Sequence, residues 1–158
     1  MREERGHRAR LCFFGLLTLA VMVMIFLFSA QDGEDSRAMS SGFLSSLVGA
    51  LLERLLPRLS DKGAGWDIRK YAHMGEYFCL GLSAFLFYAE LFRWKKKGRA
   101  AVYALVTSFL YACSDEVHQI FVPERAGRFV DVLIDSVGTV SAIALACGIS
   151  FLFGMKKR

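Results

Sequence analysis

At 158 residues the chain has room for one domain, and 54% hydrophobic residues with a mean hydropathy of +0.38 make it more apolar than a soluble domain of that size. Its charged residues, 22% of the total, fall in narrow blocks between long apolar runs, which is the pattern of a small multi-pass membrane protein. The net charge of +5 comes from basic residues flanking those runs, which argues against a nucleic-acid binder, and Cys12, Cys79, Cys113 and Cys147 lie inside the runs without metal spacing, which argues against a disulfide framework.

Residues 11–30 are twenty without a charge, about the length that crosses a hydrocarbon core of roughly 30 Å at 1.5 Å per residue. A cleaved signal peptide is the competing reading, since Ser29 and Ala30 are small. The length of the run and the bulky Phe28 favour a retained anchor. In the loop that follows, Leu44, Leu47, Val48, Leu51, Leu52, Leu55 and Leu59 recur at helical spacing, disturbed at Pro57, with Ser45, Glu53 and Arg54 on the other side. This predicts an extra amphipathic helix on the outer interface or capping the bundle, too short and too charged for a span of its own.

Three further spans are expected at residues 71–92, 100–122 and 129–153, giving an all-α, single-domain, four-transmembrane-helix bundle. Arg2, Arg5, Arg8 and Arg10 precede the first span. Arg93, Lys95, Lys96, Lys97 and Arg99 join the second to the third, and Lys156, Lys157 and Arg158 follow the fourth. The positive-inside rule puts these three blocks on one side, which requires an even number of spans and leaves both termini cytoplasmic in the cell membrane. Arg125 and Arg128 then face outward against the rule, which points to a task other than topology.

The ionisable residues gather at the outward ends of the last three spans. The second carries Lys70, His73, Glu76 and Tyr77 within about two turns, with His73 sharing a face with Glu76 or Tyr77. The third carries Asp115, Glu116, His118 and Gln119, where helical spacing sets Asp115 beside His118 and Gln119. Asp131 and Asp135 open the fourth, one turn apart. Antiparallel threading brings these ends to similar depth. Because ionisable groups there cost a few kcal/mol each unless paired or watered, an inward-facing cluster is expected. Small residues continue the same faces: Ala104, Ser108 and Ala112; Gly138, Ala142 and Ala146; Gly81 and Ala84.

Two readings of the cluster stand side by side. His73 can serve simply to pair helices through Glu116 or Asp131, Lys70, Arg125 and Arg128 can neutralise Asp115 and Glu116 in a static network, and the tyrosines and tryptophans can be packing aromatics. In the functional reading, His73, Glu76, Asp115, Glu116 and Asp131 are the candidates for acid–base chemistry, and Lys70, Tyr77, Gln119, Arg125 and Asp135 the candidates for substrate binding. No cofactor is expected. A divalent metal is the minor alternative, since there is no HExxH and His73 with Glu76 supplies one half of a di-metal bundle motif in reversed order.

At these residues the sequence resembles the VanZ-like membrane protein family. The likeness runs through Phe28-Ser29-Ala30-Gln31 with Ser36 and Ser40, and through the segment from Arg69 and Lys70 to His73, Glu76 and Tyr77, similar to an RK-x-x-H-x-x-EY pattern. It continues in Ser114-Asp115-Glu116-Val117-His118-Gln119, in Phe121-Val122-Pro123 with Arg125, and in Asp131-Val132-Leu133-Ile134 with Gly138. Glu124 departs from a glycine common in the family, and Asp135 from an asparagine. The resemblance implies a cell-envelope role, with low-level glycopeptide (teicoplanin) resistance as the named phenotype. The expected partners are the lipid bilayer with lipid-linked envelope precursors or a lipoglycopeptide, and no nucleic acid. A membrane-embedded acid–base or metal-dependent enzyme acting on such a substrate is the alternative, and a channel or transporter subunit the third reading.

Overall fold

The structure, a computed structural model, describes residues 2–30, 68–123, 125 and 127–155. Among them are four helices and no strand: α1 (Arg2–Ser29), α2 (Ile68–Leu91), α3 (Lys97–Gln119) and α4 (Phe129–Met155). The amphipathic segment expected at residues 44–59 lies outside the described residues, as do Glu124 and the side chain of Arg69.

The last three helices fall within a few residues of the expected spans, whereas α1 starts nine residues before its apolar run. The reason is local. Residues 2–10 are mostly arginine and glutamate, good helix formers, and Glu3 and Glu4 lie in the first turn, where a negative charge meets the positive end of the helix dipole. This extension also has a partner, because Arg93 Nη2 donates to both carboxylate oxygens of Glu4, at 2.8 and 2.9 Å.

Helix α2 is central and packs against the other three, most extensively against α4. Small residues make that closeness possible. A Cβ on Gly138 would run into the Met74 carbonyl oxygen, and one on Gly81 would come within 2.9 Å of Thr139 Cα. The Thr139 hydroxyl donates across the same contact to the Tyr77 carbonyl at 3.2 Å. On α3, Ala100, Ala104, Ser108 and Ala112 form one buried stripe that leads directly to buried Asp115. The stripes expected from the sequence are therefore the helix contacts. The α2–α3 connection is a short turn in which Arg93 and Trp94 adopt left-handed φ values of 49° and 58°. Hydrogen bonds from Arg93 N to Glu90 O and from Lys95 N to Phe92 O help close it.

Around a mainly apolar core the chain exposes large apolar side chains and buries several polar ones. Phe13, Leu16, Val102, Leu110, Val117 and Phe151 are more than half exposed, while Asp115, Glu116, Gln119 and Asp135 are buried. By length and composition α1 and α4 are apolar enough to cross a membrane. At 24 and 23 residues α2 and α3 are long enough, about 35 Å, but their polar ends lower their apolarity.

Candidate functional site

The polar ends of α2, α3 and α4 meet in one narrow cleft. Lys70, His73, Glu116, Gln119, Asp131 and Asp135 line it together with Ile134, and at ≈ 10 Å3 it offers about the room of one water. Three helices thus contribute to a single site, as antiparallel threading requires. Lys70 reaches across from α2 to α4, with its Nζ 3.0 Å from Asp131 Oδ1. His73 Nδ1 lies 3.4 Å from Glu76 Oε2, one turn further along the same helix. On α3 the Gln119 amide donates to Asp115 Oδ2 at 2.9 Å, the i, i+4 pairing expected from the spacing. Asp135 is 2% exposed and lies within electrostatic range of Glu76, Asp115, Glu116 and Asp131.

The loop after α3 closes over this group. The Arg128 backbone N–H donates to Glu116 Oε2 at 2.7 Å, and Gly127 makes that approach possible, since a Cβ there would collide with the Glu116 carbonyl oxygen. Arg125 turns inward: its Nη2 donates to the Phe28 carbonyl at 3.0 Å, satisfying one of the last carbonyls of α1, and its charge faces Glu76 and Asp115. Arg125, set apart from the topology signal in the sequence, therefore ties α1 to the acidic site. Buried Ser29 lies beside Asp115 from the same helix end.

Four of the sequence candidates, Glu76, Tyr77, Asp115 and Arg125, do not line the cleft. Tyr77 is completely buried, its ring 6.4 Å from that of Tyr111, and its hydroxyl has no hydrogen-bond partner among the described residues although Asp115 and Asp135 are near. Asp115 is 3% exposed, between Gln119 of its own helix and Ser29 of α1. His118 stacks on Phe26 of α1 at 4.6 Å between centroids. Among the described residues no group of three or more His, Cys, Asp and Glu side chains is arranged to hold a metal ion.

What the cleft can do chemically follows from its groups. An imidazole and three carboxyl groups share it with an ammonium and an amide, so it can accept and donate hydrogen bonds and exchange protons with whatever enters. Its supply of carboxyl groups exceeds that of cations, which favours a partner bringing hydrogen-bond donors or positive charge.

A second polar cluster, at the opposite end of α2, was not singled out from the sequence. Glu90, its side chain 4% exposed, accepts bonds from Arg10 Nε and Trp94 Nε1 and pairs with His7 Nδ1, each at 2.9 Å. The signal was present: Glu90 is an acid in an apolar stretch, and an acid there needs partners. Beside it the Arg93 guanidinium, through a hydrogen bond and its charge, holds the Glu4 carboxyl below the usual carboxylate range.

No curated protein and no solved structure matches the chain. The VanZ/LLP1 family model matches residues 14–153, from the middle of α1 through nearly all of α4 and including every residue that lines the cleft, and the chain therefore belongs to the VanZ/LLP1 family.

Proposed function

We propose that the chain is a single-domain, four-span protein of the cell membrane whose outer end carries the α2–α3–α4 cleft, and that this cleft acts on the envelope by lowering access of a lipophilic glycopeptide to the outer surface. The observation that carries the reading is the convergence, in one cleft, of Lys70 and His73 with Glu116, Gln119 and Asp131, which are the residues of the VanZ-like likeness. The exposure of large apolar side chains on α1, α3 and α4, with acidic and amide groups buried between the helices, supports four spans. The pairing of Glu4 with Arg93 brings the start of α1 and the α2–α3 turn to one end of the bundle, which supports a common side for the first two basic blocks.

Expression in a glycopeptide-sensitive Gram-positive host is expected to raise tolerance to teicoplanin more than to vancomycin, by a few-fold. His73→Ala and Glu116→Gln, at matched membrane levels, are expected to return it to the host's value. Unchanged susceptibility to both drugs with the chain present in the membrane would contradict the proposal.

A second reading is favoured by the His73 and Glu76 pair at 3.4 Å next to Glu116 and Asp131, which is the equipment of an acid–base enzyme acting on a lipid-linked or cell-wall substrate. It calls for a chemical change in envelope lipids between cells with and without the chain. Identical lipid profiles would set it aside.

A further inference from the structure

The end of the molecule opposite the cleft holds a much larger cavity, of ≈ 480 Å3, between the first turns of α1 and the α2–α3 turn. Its size falls in the range of small-molecule sites. Arg2, Glu3, Gly6, His7 and Arg10 of α1 line one side and Arg93 and Trp94 the other, together with buried Glu90. Glu90 organises this lining by binding His7, Arg10 and Trp94 at once. Arg10 gives Glu90 only its Nε, so its two terminal guanidinium nitrogens remain on a side chain 59% exposed. Arg93 spends one nitrogen on Glu4 and is 52% exposed. The lining holds three arginines against two acids, Glu3 and Glu90, and Lys97 adds a further positive charge nearby, 5.9 Å from the centroid of Trp94.

A cationic cavity with arginine forks suits a phosphate. What selects among phosphates is the surface it opens onto. The helix face of Gly6 and Arg10 continues, at i+3 and i+4 spacing, into Phe13 and Leu17, which are 61% and 39% exposed. An anionic head above a strip of bare apolar side chains, with an indole at the boundary, matches an amphiphile at a membrane interface.

We propose that this cavity binds the phosphodiester headgroup of an anionic phospholipid, with Arg2, Arg10 and Arg93 around the phosphate and the acyl chains along Phe13 and Leu17. The inference rests on the membrane reading above and is independent of what the cleft at the other end does. Gly6 keeps the cavity open: a Cβ there meets only Arg10 Nη1, at 3.7 Å, so a larger side chain would fill the space without disturbing the helix backbone.

The test uses the purified full-length chain in neutral micelles, titrated with phosphatidylglycerol, phosphatidylcholine or inorganic phosphate while its thermal unfolding is followed. Phosphatidylglycerol is expected to raise the melting temperature, and phosphatidylcholine and inorganic phosphate to leave it unchanged. The double variant R2A/R93A is expected to weaken the apparent phosphatidylglycerol affinity on the order of tenfold. G6L, which retains every charge, should weaken it comparably, and K95A/R99A, which removes the same charge outside the cavity, should leave it intact. Equal responses to the two lipids, a full response to inorganic phosphate, or equal losses in R2A/R93A and K95A/R99A would each overturn the assignment. Failure of the membrane reading is separately visible, since the chain would then be recovered in the soluble fraction of its host.

Discussion

Gly138→Leu is expected to cost about 3 kcal/mol, the upper part of the range for overpacking. At this point α2 and α4 approach with no room for a side chain, and the atoms in the way are backbone: the Met74 carbonyl, and Phe78 N at 3.1 Å from the added Cβ. A flexible side chain can yield there, but a helix backbone moves only with the whole helix, so α4 must shift away from α2. The shift also separates Lys70 from Asp131, and with them the two walls of the cleft. Thermal unfolding in micelles reads the loss directly. Gly148→Leu is the control, because nothing lies within 4 Å of that position, and it is expected to stay within about 0.5 kcal/mol of the parent chain.

Arg125→Ala is expected to destabilise by about 3 kcal/mol, the cost of removing one partner from a buried charge network. Two consequences combine. Glu76 and Asp115 lose the cation that faces them, and the Phe28 carbonyl at the end of α1 loses a donor 3.0 Å away. Arg125→Lys is expected to recover only part of the loss, because an ammonium retains the charge but has no fork with which to reach carbonyl and carboxylates together. Faster hydrogen exchange at the last turn of α1, confined to the Arg125 variants, would locate the effect. Equal stability of the parent and Arg125→Ala chains would mean that the guanidinium does not tie α1 to the site.

The sequence made the helices legible through their apolar runs, and it made their contacts legible through small residues. Ala104, Ser108 and Ala112, read as a stripe at helical spacing, are buried against neighbours, and Gly81 and Gly138 mark the closest backbone approach. The cleft was legible because antiparallel threading fixes depth: Lys70, His73, Glu116, Gln119, Asp131 and Asp135 had to reach one level, and small residues on the same faces aimed them inward.

What the sequence withheld depended on rotation and on pairing across long separations. Nothing in the spacing of α3 tells whether His118 or Glu116 looks into the cleft, because that is set by where α1 lies, and α1 takes His118 against Phe26. Arg125 pairs with a backbone carbonyl 97 residues earlier, which no local pattern encodes. The arginines of residues 2–10 carry a topology signal strong enough to hide a second role, so neither the extension of α1 nor the Glu90 cluster was foreseen.

The arrangement of the bundle in the membrane is tested most directly by cysteine labelling in intact cells. Cys12, Cys79, Cys113 and Cys147 are first replaced by alanine, and a single cysteine is then placed at Lys96, in the α2–α3 turn, or at Arg128, beside the cleft. A membrane-impermeant maleimide is expected to label Arg128→Cys in intact cells and Lys96→Cys only after permeabilisation. Labelling of Lys96→Cys from outside, or protection of Arg128→Cys until the cells are opened, would contradict a four-span bundle whose acidic cleft faces the cell exterior.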